Sequence, residues 1–328
     1  MLDLFKHSRL PMLARIGAVS ALAAFTFTAF AQYRQSETFL EDLTMQDLLL
    51  EDQMVQEEPE FIVEVPDFTI YEQVDERKAA FFAFMTDFVE TENARLAGLR
   101  KELLPMWGVL NHDQELTDIE VARLYEIAKG FGFRNEVEAM IAARNIEDSV
   151  AGEDESADQA ALSEDAERIL AAGEVLSNYE LVKELVRRVD VIPTSLVLAQ
   201  AANESGWGTS RFAREGNNIF GQWCFDEGCG LVPNRRGEDA SHEVRAFASV
   251  DAAVRAYFRN LNTHPSYEDL RTLRASMRMQ GLKLNSMVLA RGLTRYSERG
   301  MDYVEELQDM IRINELRERD RVFLNAST

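Results

Sequence analysis

One carboxylate stands where the chain is most apolar. Glu204 follows Leu196, Val197, Leu198, Ala199, Ala201 and Ala202, a run apolar on nearly every face of a helix, and precedes Ser205-Gly206-Trp207-Gly208. A carboxyl at the end of a buried helix, beside a tryptophan and away from bulk water, has its pKa raised, because desolvation penalises the charged form. The raised pKa keeps a proton available near neutrality, which a general acid needs to protonate a leaving oxygen. The residues alone leave a second reading open: a helix-end glutamate bonded to Asn203, Ser205 or nearby backbone.

The elements that must hold Glu204 follow from periodicity and punctuation. Pro193 suits the first turn of its helix. Ahead of it, Ser177 with Glu180 forms a capping box, opening an amphipathic helix with Leu181, Val182, Leu185 and Val189 on one face. Beyond Gly208 the stretch 224–247 is rich in Gly, Pro and Asn and ends in Glu243-Val244-Arg245-Ala246-Phe247, the pattern of a small β-hairpin. Helices are expected again over 249–262, 267–279, 282–290 and 303–319. Upstream, helical spacing predicts a helix over 71–104 stopped by Pro105. A second opens at Thr117 with Glu120, and a third covers 135–145. The fold class is mainly α. Residues 32–70 read as a flexible acidic lead-in, 71–146 as a small helical region, 147–170 as an acidic linker and 171–322 as the main domain.

Charge narrows the partners. The 328 residues carry 35 Lys and Arg against 57 Asp and Glu, a net charge of −22, which argues against nucleic acid. Residues 32–170 hold 34 acidic and 11 basic side chains, whereas 171–328 are nearly neutral and rich in arginine. The acidic part is expected to dock the arginine-rich half or a basic protein partner of the cell envelope.

The first 31 residues read as a signal peptide: Lys6, Arg9 and Arg15, an apolar run from Ile16, and Ala29-Phe30-Ala31 before Gln32. That run is shorter than the roughly 20 residues a membrane span needs, which favours cleavage over an uncleaved anchor. A periplasmic mature chain is expected. Cys224 and Cys229 then lie in an oxidising compartment, where a local disulfide follows. No histidine lies within a few residues of them, so neither zinc nor another metal is expected there.

Three motifs in order carry a family resemblance. Leu198-Ala199-Gln200-Ala201-Ala202-Asn203-Glu204-Ser205-Gly206-Trp207-Gly208 resembles the catalytic signature of the peptidoglycan β-N-acetylglucosaminidases, glycoside hydrolase family 73. Gly216-Asn217-Asn218-Ile219-Phe220-Gly221 and Gly292-Leu293-Thr294-Arg295-Tyr296-Ser297, with Tyr303 beyond, are similar to its next two segments. The long acidic start and the Trp-Cys-Phe…Gly-Cys-Gly insertion look like the bacterial Bax-type glucosaminidase-domain proteins. The resemblance covers about 175–320. It implies a lysozyme-like helical domain with a small β-lobe, acting on peptidoglycan glycan strands without a cofactor. It makes Glu204 the general acid and Tyr296 a cleft tyrosine near the scissile bond. Asn218, Phe220, Tyr303 and Trp223 are then candidates to bind substrate, although Asn217 and Asn218 also suit a turn cap.

One departure stands out. Glycosidases ordinarily use a second carboxylate, and where the family carries it this chain reads Leu231-Val232-Pro233. Asp226, Glu227, Glu238, Asp239 and Glu243 lie nearby. Glu243, on the returning strand, is the expected one, with an ion pair to Arg245 as its structural alternative. Two other functions share this fold: a lytic transglycosylase, disfavoured by Asn-Ile-Phe-Gly-Gln-Trp after the Glu-Ser pair, and a non-catalytic wall-binding module.

Overall fold

Apolar residues at helical spacing build eleven α-helices and three short strands among the described residues, 64–151, 162–234 and 241–320 of this computed structural model, side chains at 147–151 excepted. The expected signal peptide, most of the lead-in, and Glu238 and Asp239 lie outside them. No helix among the described residues is long and apolar enough to cross a membrane.

The first helix, α1 (Val74–Asn111), runs 38 residues and contains Pro105 rather than ending at it. Pro105 is exposed while Leu103 and Met106 beside it are buried. Lys101, whose carbonyl loses its helical partner, is exposed as well, and packing carries the helix through. Phe81, Met85, Val89, Leu96 and Leu103 recur at steps of four and seven and are fully buried.

Helices α2 (Asp118–Gly130) and α3 (Arg134–Ala151) follow, α2 opened by the expected capping box of Thr117 and Glu120. The stretch read as a linker is helical at both ends: α3 extends into it, and α4 (Glu164–Ala172) is capped by Ser163. Ser163 Oγ also donates to Glu138 Oε2 at 2.7 Å, which ties α4 to α3.

The helices α5 (Asn178–Arg188) and α6 (Thr194–Ser205) pack along α1. Asn93 of α1 donates to Ile192 O at 2.9 Å and accepts from Ile192 N at 3.0 Å, so a buried amide clamps the α5–α6 turn. Then come α7 (Arg211–Gly216), the strands β1 (Trp223–Cys224), β2 (Gly230–Leu231) and β3 (Glu243–Arg245), and helices α8 (Val250–Thr263), α9 (Glu268–Met279), α10 (Ser286–Leu289) and α11 (Met301–Ile313).

The β-lobe is a three-stranded antiparallel sheet of order β1-β3-β2, not a single hairpin, because the last strand enters between the other two. The helix expected over 282–290 is cut to α10, since Asn285 caps it by accepting from Met287 N.

A buried ionic knot fastens α1 to α9. Asp190, after α5, accepts from Arg278 Nη2 at 2.8 Å and Nε at 3.0 Å, and lies 3.6 Å from Arg100 and 3.9 Å from Arg274. Arg274 also donates to the carbonyls of Arg187, Arg188, Asp190 and Val191. Burial opposes the Asp190 charge, yet Arg274, Arg100 and Arg278 together hold its pKa below the usual carboxylate range.

Candidate active site

Glu204 sits on the last turn of α6, a helix buried from Thr194 to Ala202. The turn after it is built by its sequence. Gly206, Trp207 and Gly208 all take positive φ (56°, 60° and 73°). Ser205 Oγ donates to Ala201 O and accepts from Gly208 N, closing the turn. A side-chain carbon at Gly208 would stand 2.5 Å from the Phe68 ring, so only glycine fits. Trp207, a rare non-glycine in this conformation, is held edge-on by Phe81 and Phe82 of α1. The aromatic cluster of α1 thus fixes the end of the helix that carries Glu204.

The half-buried carboxyl has two different sides. Tyr303 of α11 donates to Oε1 at 2.8 Å. Oε2 faces Gly221, where an added side-chain carbon would stand 3.6 Å away. Burial pushes the Glu204 pKa up; the Tyr303 hydrogen bond, the Arg299 charge and a hydrogen bond from Asn203, the contact that the second sequence reading expected, oppose this in part, and the Glu306 charge adds to it. Arg299 is itself paired with Glu306.

Behind Glu204 lies a layer of tyrosines. Tyr296 stacks parallel on Tyr303 with centroids 5.7 Å apart, and its hydroxyl donates to Phe220 O at 2.9 Å. Tyr267 and Tyr257 approach the Tyr296 ring at 5.8 and 6.5 Å. Burial raises the Tyr296 pKa well above the ordinary tyrosine value, and that of Tyr303 likewise, so both hydroxyls stay protonated. Gly292 lets this segment close on α9, because a side-chain carbon there would stand 2.4 Å from the Leu270 backbone.

The structure brings Glu204, Tyr296, Tyr303 and the Phe220-Gly221 turn together. Three of the residues expected to bind substrate, Tyr303, Phe220 and Asn218, are held in contacts within the protein. Tyr303 is buried, and its hydroxyl is engaged by the Glu204 carboxyl. Phe220 is buried and stacks on Tyr257 at 3.9 Å. Asn218 is buried, its amide donating to Gln222 O and Arg245 O and accepting from Gln222 N, so it ties the turn to β3.

Glu243 is also occupied. Gly228 N donates to its Oε1 at 3.2 Å and Gly230 N to its Oε2 at 2.8 Å. It therefore organises the loop closed by the Cys224–Cys229 disulfide, and not through the expected alternative, an ion pair with Arg245. Cys224, Cys229 and Glu243 bring their ligand-type atoms close together, but the sulfurs are bonded to each other and the carboxylate to these amides. Trp223 is 60% exposed and stacks on His242 at 4.2 Å, which leaves one face of an aromatic platform open.

Gln200 and Tyr257 escaped the sequence reading. Gln200 is fully buried one turn before Glu204, and links Tyr257 to Tyr303. Its signal was present: one amide inside an apolar run, four residues from the acid and so on the same helix face. A separate cavity of about 280 Å³, lined by Arg100, Lys101, Asp190 and Arg278 among others, includes none of these residues.

A mainly α domain with a small β-lobe, and one half-buried carboxyl set among tyrosines, is an arrangement suited to acid catalysis at a polar substrate. Residues 179–316 match the family described as Glucosaminidase: Mannosyl-glycoprotein endo-beta-N-acetylglucosaminidase. Residues 179–316 thus resemble a glucosaminidase domain. It is 40% identical over 132 residues to Protein bax of Escherichia coli (strain K12), a match covering 40% of this chain and 46% of that protein. The match spans less than half the length of that relative. No solved structure matches the chain.

Proposed function

We propose that this chain is an exported peptidoglycan hydrolase that cleaves the β-1,4 bond after N-acetylglucosamine, with Glu204 as its general acid. The observation that carries the reading is the two-sided setting of Glu204: buried enough to raise its pKa, with Oε1 held by Tyr303 and Oε2 beside a glycine. Protonated at Oε2, it gives its proton to the glycosidic oxygen as the bond breaks. The Tyr303 hydrogen bond then stabilises the carboxylate left behind. Tyr296, anchored to Phe220 O, keeps the Gly221 turn in place. Trp223 offers a stacking face to a sugar ring.

The Glu306 charge also acts on Glu204, and Glu306 is paired with Arg299. The attack on the anomeric carbon then comes from a second carboxylate, from water or from the substrate's own acetamido oxygen. The test is a digest of purified peptidoglycan, reduced with borohydride and read by mass spectrometry. Reducing ends on N-acetylglucosamine support the reading. Anhydro-muramyl ends mean a transglycosylase, and no products at all mean a wall-binding module.

A further inference from the structure

Glu204 is the end of a hydrogen-bond chain that starts deep in the core. Tyr257 OH of α8 donates to Gln200 Oε1 at 2.5 Å, Gln200 Nε2 donates to Tyr303 OH at 3.0 Å, and Tyr303 OH donates to Glu204 Oε1 at 2.8 Å. Tyr257 and Gln200 are fully exposed to neither solvent nor substrate: both have no accessible surface, and Tyr303 has 1%. Bulk water does not reach these groups, so their hydrogen bonds are made with one another. An ionised carboxylate only accepts, which fixes the Tyr303 proton toward Glu204. The phenol oxygen then accepts from the amide nitrogen, and the amide oxygen is left for Tyr257.

We propose that Tyr257 and Gln200 are positioning residues for the acid: they lock the Gln200 amide in one orientation, oblige Tyr303 to donate to Oε1, and so direct the transferable proton to Oε2. The inference rests on Glu204 being the acid. A carboxylic acid has two oxygens, and only the one aimed at the leaving group is useful. Because Oε1 is occupied by a donor, a proton there would face another proton. The chain thus does from behind what a substrate contact does from the front. If Tyr257 loses its hydroxyl, Gln200 Oε1 has no donor, and the amide is free to turn over. It then accepts from Tyr303, whose proton leaves Glu204.

The consequence has a sign. The Tyr303 hydrogen bond favours the charged carboxylate, so weakening it raises the Glu204 pKa further. The other charged groups that act on Glu204 are Arg299 before α11 and Glu306 on α11, and the phenols that its own charge reaches are those of Tyr257, Tyr267 and Tyr296. None of these except Tyr257 is altered by the variants used below.

The experiment follows the Glu204 titration directly in the full chain, by carbon-13 NMR of labelled glutamate carboxyls. The resonance is assigned by its loss in Glu204→Gln, and the pH profile of kcat/KM on peptidoglycan is recorded beside it. Tyr303→Phe should raise the midpoint by about one unit or more, as losing a hydrogen bond to a charged group requires. Tyr257→Phe should raise it by roughly half a unit, with the basic limb of the profile moving equally. The double variant should go no further than Tyr303→Phe alone, since Tyr257 acts only through Tyr303. Gln200→Met carries the same expectation if Tyr257→Phe does not fold. Phe258→Leu, a core change next to Tyr257, should leave the midpoint in place. An unmoved midpoint in Tyr257→Phe or Gln200→Met, full additivity in the double variant, or an equal shift in Phe258→Leu would each overturn the proposal. Retained hydrolysis in Glu204→Gln would instead remove the acid assignment, while the titration still reports on the chain.

Discussion

Replacing Asp190 by asparagine should destabilise the fold more than any surface charge change. The substitution keeps the volume and removes one charge from among Arg100, Arg274 and Arg278, which approach within 3.6, 3.9 and 2.8 Å. Two hydrogen bonds from Arg278 and one from Val191 N, at 2.8 Å, end on this carboxylate. The buried guanidinium groups of Arg100 and Arg274 would lose this counter-charge, and breaking a buried pair in that way costs about 3–5 kcal/mol. For a domain of this size the melting temperature should fall by roughly 6–20 °C. The assay is urea unfolding with thermal melts alongside. Asp309→Asn is the control, because its pair with Arg312 is exposed and such pairs contribute about 0.5 kcal/mol or less. The pH dependence has a definite sign. The folded state holds the Asp190 pKa below its unfolded value of about 3.9. Its stabilisation is therefore present above that value and lost as pH falls through the folded-state pKa. A loss below about 1 kcal/mol would refute the reasoning, since the knot would then be no better than a surface ion pair.

Other expectations follow from single contacts. Glu243→Gln keeps one acceptor for the Gly228 and Gly230 amides, so kcat should fall by less than about tenfold; a fall of about a thousandfold would make it a catalytic group. Trp223→Ala should raise KM by about 2–10-fold, the worth of one ring contact, with kcat and melting temperature unchanged; an unaltered KM would show that the platform does not hold sugar. Gly292→Ala drives a side-chain carbon into the Leu270 backbone and should cost about 1–3 kcal/mol in urea unfolding together with activity, because Tyr296 moves with the segment.

Much of this site was legible in the sequence for local reasons. Glu204 announced itself because an acid at the end of an apolar helix is conspicuous, and the Gly-Trp-Gly turn and both capping boxes are read within a few residues. What escaped depended on partners far along the chain. The Tyr303 hydroxyl points inward to a residue 99 positions away, and no local pattern distinguishes that from a sugar contact. For Glu243 the local pattern does not show that two glycine amides, Gly228 inside the disulfide loop and Gly230 just beyond it, face its carboxylate. The middle position of β3 was hidden because its two partners both precede it, separated from it by the 232–242 stretch. Pro105 misled for a different reason: a proline stops a helix only where the lost hydrogen bond cannot be replaced, and here both Pro105 and Lys101 are exposed.

The central claim is that Glu204 supplies the proton. Glu204→Gln preserves the shape of the side chain and an acceptor for Tyr303, so the fold and binding to glycan strands should survive. Hydrolysis of peptidoglycan by the variant, measured beside its melting temperature and its co-sedimentation with cell-wall sacculi, is the most direct test. The account predicts a loss of about a thousandfold or more with both controls unchanged. Hydrolysis within about tenfold of the unaltered protein would contradict it.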